Sequence, residues 1–183
     1  MPKEKKSDFQ DILADLRKRN IHDLYVLIGE DAYLKNKITQ ALEKLLIEPS
    51  VRELDRIIVD LSGKPSERDV IRICNEMASP PFMSERKLII VKNSGFFSDA
   101  QEGSYGLQDI FSGINSTCCI VFIESKVDKR KKSLIKEISE RGVLAEISKP
   151  DPEDLRTWTI REFSRNGIRV SQKTADIFAE RND

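Results

Sequence analysis

Five short apolar runs separated by amphipathic stretches constrain this chain more than any other feature of its sequence. Leu24-Tyr25-Val26-Leu27-Ile28 is apolar from end to end, and Leu88–Val91 and Cys118–Ile123 repeat the pattern. A strand without polar alternation must be covered on both faces, as in a parallel sheet with helices on either side. Two further strands are predicted at Leu54–Leu61 and Val143–Ile147. Helices fill the intervals. The first is expected from about Asp8 to Lys18, capped by Ser7, with Phe9, Ile12, Leu13 and Leu16 on one face. The second turns Leu34, Ile38, Ala41, Leu42, Leu45 and Leu46 inward. Ser66–Ala78 follows, with Ser66 and Asp69 spaced for a capping box and Val70, Ile73, Cys74 and Met77 facing the core. Leu107–Ile114 and Lys131–Arg141 complete the set. Strand and helix in strict alternation give right-handed βαβ units, hence a doubly wound, mostly parallel α/β sheet of five strands on the plan of a phosphate-loop ATPase.

The pattern stops at Pro150-Asp151-Pro152. Asp151 can cap a new helix with Pro152 at its first position, where a missing N–H costs nothing. Beyond it only helices are expected, Glu153–Arg165 and Ser171 to about Arg181, with Leu155, Trp158, Ile160 and Phe163 as apolar positions. Trp158 reads as helical core rather than as a platform for a ligand. The reading is a first domain over 1–149 and the start of a helical domain over 150–183. Two helices make a poor bundle, so the chain is expected to be the N-terminal part of something longer.

Composition narrows the function classes. Thirty-one basic side chains balance 31 acidic ones, which argues against a protein that coats nucleic acid. The three cysteines Cys74, Cys118 and Cys119 have no C-x-x-C spacing. Neighbours on a strand point to opposite faces, so Cys118 and Cys119 cannot share a metal, and buried reduced thiols in a reducing compartment are expected. The basic, polar start carries no secretory signal and no apolar run approaches the length of a membrane span, so a cytoplasmic protein without a membrane partner is expected.

In open parallel sheets, phosphates bind at the turn after the first strand. A working phosphate loop reads G-x-x-x-x-G-K-[ST]. Here the run is Gly29-Glu30-Asp31-Ala32-Tyr33-Leu34-Lys35-Asn36. Gly29 and Lys35 keep their places, Leu34 replaces the second glycine and Asn36 the hydroxyl. Glu30 and Asp31 put two carboxylates at the helix N-terminus, favouring that end of the dipole themselves. Each would cost an incoming triphosphate on the order of a kcal/mol or more at ~4–6 Å. The third strand ends Val91-Lys92-Asn93 instead of the acidic pair that holds magnesium. No catalytic residue, metal ligand or cofactor is expected.

Taken together, these segments resemble the delta subunit family of the bacterial DNA polymerase III clamp loader. The resemblance rests on Tyr25–Leu34, on Pro81-Phe82-Met83-Ser84-Glu85-Arg86-Lys87-Leu88-Ile89-Ile90-Val91-Lys92-Asn93, and on Lys129-Arg130-Lys131-Lys132-Ser133-Leu134 and Trp158 in the same order. It implies an AAA+-like first domain without ATPase activity, a helical lid, and a C-terminal ring-forming domain absent here. It also implies binding and opening of the beta sliding clamp through an apolar pair falling on Pro81 and Phe82, with Met83 beside them. The implied partners are the delta prime and gamma/tau subunits, reached through the absent domain, and primer-template DNA in the full complex. Locally, Pro80-Pro81 must end the preceding helix and hold the next residues extended. Phe82 and Met83 would then form an apolar plug beside a polar rim of Ser84, Glu85, Arg86 and Lys87, or else cover the end of the sheet.

Other residues leave choices open. Lys126, Lys129, Arg130, Lys131 and Lys132 form a basic cluster, either a solvated helix start or a DNA phosphate contact. His22, the single histidine, has no second ligand fixed beside it. Phe96-Phe97 either packs under a loop or extends an apolar contact surface. The alternative functions are a divergent phosphate-loop ATPase or nucleotide-transfer enzyme keeping Lys35, and a regulatory adaptor binding single-stranded DNA through the basic cluster.

Overall fold

The interior strand β1 (Leu24–Ile28) is buried along its whole length, as its apolar sequence demands. A computed structural model of the chain describes residues 9–61, 66–97, 106–147, 156–157, 159–160, 163–164 and 167–180. The chain divides into two units, Met1–Ile147 and Ser148–Asp183.

In the first unit, β2 (Arg56–Asp60), β3 (Lys87–Lys92), β4 (Cys118–Ile123) and β5 (Val143–Glu146) join β1 in a five-stranded sheet of order β2-β3-β4-β1-β5. Every pairing is parallel; Leu24 lies opposite Ile120, Tyr25 opposite Val143, Arg56 opposite Leu88, and Lys87 opposite Cys118. Successive side chains go to opposite faces. Val26, Ile89, Ile120 and Phe122 meet α4 (Glu67–Ala78), α5 (Leu107–Gly113) and α6 (Lys132–Arg141) through Val70, Ile73, Met77, Ile110 and Ile138. Tyr25, Leu27, Ile90 and Val121 meet α1 (Phe9–Arg17) and α2 (Ala32–Leu46) through Ile12, Leu16, Ile38 and Leu42. The sheet is doubly wound, as predicted.

The adjacent thiols Cys118 and Cys119 fall into these two different cores. Burial pushes the Cys119 thiol up to about 12, so it stays protonated at neutral pH. Cys74 is only half-buried. The capping box of α4 forms: Asp69 N–H donates to Ser66 Oγ at 3.4 Å, and Ser66 N–H to the Asp69 carboxylate at 2.8 Å. The Ser7 cap expected for α1 lies outside the described residues.

One element differs from its prediction. Leu54–Leu61 is not one strand: a 3-10 turn at Pro49–Val51 leads into a single helical turn, α3 (Arg52–Asp55), and β2 begins at Arg56. β2 is the sheet edge, covered unevenly, so its apolar residues do not mark where it starts.

In the second unit residues 156–157, 159–160 and 163–164 are helical and 167–171 form a turn and a short connection. Its last helix, α7, runs from Gln172 to Glu180. Ser171 Oγ accepts the Thr174 N–H at 3.2 Å, and Arg156 pairs with Asp176. Gly167 closes the preceding turn at φ 75°, and Ile168 N–H donates to Phe163 O at 2.9 Å. Pro150, Asp151, Pro152, Leu155 and Trp158 lie outside the described residues.

Candidate functional site

The two ends of the parallel sheet carry two different constellations. At the C-terminal end, the run Gly29–Asn36 takes the strand–turn–helix geometry of a phosphate loop, but the chain fills it with its own groups. Asp31 is the N-cap of α2, its carboxylate accepting the Leu34 N–H at 2.9 Å. Glu30 and Asn36 are exposed, whereas Leu34 is 6% exposed and packs into the core behind the turn. A leucine there anchors the helix to the core.

The two residues that keep the phosphate-loop pattern both have internal work. Lys35 is 6% exposed. Its ammonium donates to Gly29 O at 2.5 Å and to Glu124 O at 3.0 Å, tying the ends of β1 and β4 together. Burial lowers its pKa against the pull of Glu124 and Asp31. Gly29 sits at φ 115°, and a Cβ on it would fall 2.1 Å from the carbonyl oxygen of Ile147. The close approach of the chain leaving β5 requires this glycine.

Glu124, which the sequence analysis did not single out, completes this end. Its carboxylate accepts Ser94 N–H at 2.9 Å, Ser94 Oγ at 2.5 Å and Gly95 N–H at 3.3 Å. Burial pushes its pKa up, opposed by those hydrogen bonds and by Lys35. Its position as the first charged residue after an apolar strand was the available signal. Beside it, Asn93 at φ 54° donates through Nδ2 to Asp60 at 3.0 Å. Among the described residues no group of three or more His, Cys, Asp or Glu side chains could hold a metal ion.

At the N-terminal end, α4 stops at Ala78, and Ser79 N–H makes the last helical bond to Asn75 O at 3.1 Å. Pro80 and Pro81 then carry the chain away. Phe82 is 67% exposed and Met83 65%, so they do not cover the end of the sheet. Their backbone is fixed from below. Asp55, 0% exposed at the end of α3, accepts the N–H groups of Phe82 at 2.5 Å, Met83 at 3.1 Å and Ser84 at 2.8 Å. Burial alone would raise its pKa, but these bonds win and hold it at about 2.

The polar rim expected from Ser84–Lys87 is largely absent, because only Glu85 among the four is exposed. Ser84 Oγ accepts Glu48 N–H at 3.0 Å. Arg86 binds Asp23 at 2.5 Å and also the Cys118 carbonyl. Lys87 Nζ reaches Ser79 Oγ at 2.5 Å, Glu76 O at 3.1 Å and the Glu76 carboxylate at 3.2 Å. Backbone carbonyls and carboxylates at the sheet end draw these charges inward, and they brace the loop from which Phe82 and Met83 project.

The remaining candidates sort cleanly. Lys126, Lys129, Arg130 and Lys132 of the basic cluster are all exposed; Lys129 bonds both Glu146 oxygens at 3.0 Å and Arg130 pairs with Asp128 at 3.1 Å. Lys131 is the half-buried N-cap of α6. Phe96 and Phe97 are buried edge-on against Phe122, with centroids 6.4 and 5.0 Å away, so they belong to the core and do not extend an apolar contact surface. The backbone N–H of His22 donates to the Tyr25 hydroxyl at 3.0 Å.

Comparison with known proteins bears on both ends. A family model described as DNA polymerase III, delta subunit, matches residues 25–148. The DNA polymerase III subunit delta of Bacillus subtilis is 24% identical over 172 residues, 90% of this chain and 47% of that protein. The solved Bacillus subtilis DNA clamp loader delta protein superposes with a TM-score of 0.72 at 20% identity, over 92% of this chain and 50% of that one. A DNA polymerase III gamma subunit-related protein of Thermotoga maritima gives 0.54 at 16% identity, over 85% and 52%, and shares the fold. The chain thus spans about half the length of the relatives it matches. A family match across both the altered phosphate turn and the Pro81–Asn93 segment, on an AAA+-like sheet, places this chain in the DNA polymerase III delta subunit family.

Proposed function

We propose that this chain binds the beta sliding clamp through Phe82 and Met83, with Pro81 at the edge of the contact, and opens one interface of the ring without hydrolysing ATP. The observation that carries the reading is an adjacent aromatic and thioether pair, each about two-thirds exposed, on a braced loop in a member of the delta subunit family. Exposed side chains on rigid backbone suit an interface hot spot, since little ordering cost is due on binding. Opening follows from differential binding: the pair fits an opened clamp interface better than a closed one and shifts the population towards it.

The sealed C-terminal end of the sheet supports the non-catalytic part. With Lys35 bonded to two carbonyls and Asp31 capping the helix, the groups that would bind a triphosphate are already engaged. In this reading 1–149 is the clamp-binding domain and 150–183 begins a lid. The delta prime and gamma/tau subunits are met through chain beyond it, with primer-template DNA in the assembled complex. A cytoplasmic setting accords with the absence, among the described residues, of a helix long and apolar enough to cross a membrane.

Titration of the chain with a bacterial sliding clamp tests the reading. Phe82→Ala is expected to weaken binding by about 2 kcal/mol, close to thirtyfold. Equal affinities for the wild type and the variant refute the assignment.

A further inference from the structure

We propose that Asp55 is the positioning residue of the Phe82–Met83 contact: its buried carboxylate gathers three successive backbone N–H groups and so holds both side chains in the conformation that a partner receives. The inference rests on the reading of that pair as a protein contact.

Three consecutive N–H groups converge on one anion only when the backbone curls around it as a nest. Here the donors are Phe82, Met83 and Ser84, and the acceptor is a residue 27 to 29 positions upstream with 0% exposure. None of the three belongs to the sheet, since β3 starts at Lys87, and prolines 80 and 81 have no N–H to anchor the loop. Without the carboxylate, these donors would face a buried site with no acceptor, and the loop would have to turn them out to water. Packing cannot substitute, because two-thirds of each of the Phe82 and Met83 side chains lies in solvent. The second anchor comes from the same region of chain: Glu48 N–H donates to Ser84 Oγ. The segment between α2 and β2 therefore moulds the loop between α4 and β3. A loop moulded in advance binds without first being ordered.

The test uses wild type, Asp55→Asn, Phe82→Ala and the double variant. Two quantities are measured: amide hydrogen exchange at residues 82–84 in the free chain, and affinity for a bacterial beta sliding clamp. Asp55→Asn, nearly isosteric, should leave the cooperative unfolding transition in place, speed exchange at those amides at least tenfold, and weaken clamp binding about tenfold. On the Phe82→Ala background it should add a smaller loss, about threefold at most, because only the Met83 part of the contact is left for it to act through. Unchanged exchange at the three amides overturns the proposal, as does a full tenfold loss on the Phe82→Ala background, the mark of a general structural effect. If Asp55→Asn does not fold, Asp55→Glu carries the same outcomes, keeping the charge and displacing it by one methylene. A wild-type chain that does not bind the clamp refutes the proposed partner alone, and the exchange measurement, made without a partner, still decides the role of Asp55.

Discussion

Replacing Lys35 by methionine separates two roles a lysine can play at the mouth of a parallel sheet. In a working phosphate loop the ammonium faces solvent until a triphosphate arrives, so its removal abolishes nucleotide binding and leaves the empty fold almost as stable as before. Here the ammonium is buried and bonded to the Gly29 and Glu124 carbonyls. Each hydrogen bond from a charged donor is worth about 1.5–3 kcal/mol, and its loss strands an acceptor that is partly out of reach of water. Against this stands the relief of no longer burying a charge, the same desolvation that lowers the lysine's pKa. Methionine keeps the length of the stem, so the cavity contribution is small. The balance is a loss of about 2 kcal/mol, taking two stranded acceptors against one relieved desolvation. For a chain of this size that corresponds to a fall in Tm of about 4–8 °C. Thermal unfolding of wild type and Lys35→Met, each with and without ATP and magnesium, reads both effects. The expected result is a lower Tm for the variant and no nucleotide-dependent shift for either protein. An unchanged Tm in Lys35→Met, together with micromolar ATP binding by the wild type that the variant loses, would refute the reasoning and restore the enzyme reading.

Gly29→Ala should destabilise more than a typical surface change, by at least about 2 kcal/mol, because the positive φ and a backbone oxygen 2.1 Å from the new Cβ leave no cheap relaxation. Urea unfolding measures it, and a change under about 0.5 kcal/mol would contradict the close approach of Ile147. Acid should loosen the loop at Asp55. Its pKa is depressed from 3.8 to about 2, so its contribution is complete above pH 3.8 and is lost as pH falls through 2. Allowing for nearby solvent, that is on the order of 1–2 kcal/mol, and the stability gap between wild type and Asp55→Asn should close over that window.

The main elements of the sheet were legible because burial on both faces writes an unbroken apolar run into β1, β3 and β4. The start of β2 was not, since an edge strand is covered unevenly and Leu54 looks like part of it while lying in a helical turn, 54% exposed. The altered phosphate turn could be read from residue types alone: a carboxylate at an N-cap position and a leucine in place of glycine have local consequences. The prolines before Phe82 and Met83 marked the end of the helix but left open whether the pair projects or covers the end of the sheet; their exposure, 67% and 65%, came from the structure. What escaped was every role that depends on contact across the fold. Asp55 is an ordinary acidic residue until three amides 27 to 29 positions away turn towards it, and Glu124 likewise until Ser94 folds back. Arg86 and Lys87 were assigned to a solvated rim on charge alone, yet the carbonyls of Cys118 and Glu76 draw them in.

The grip of Asp55 on the loop has a practical corollary for inhibitor design. A linear peptide copied from residues 79–86 would carry the two apolar side chains but not the anion that shapes them, and in water its backbone would sample many forms. An imitation that competes well would need its own internal carboxylate or a macrocycle imposing the same curl. Medicinal chemistry aimed at the proposed contact should therefore begin from the shape of the turn, with the choice of side chains coming second.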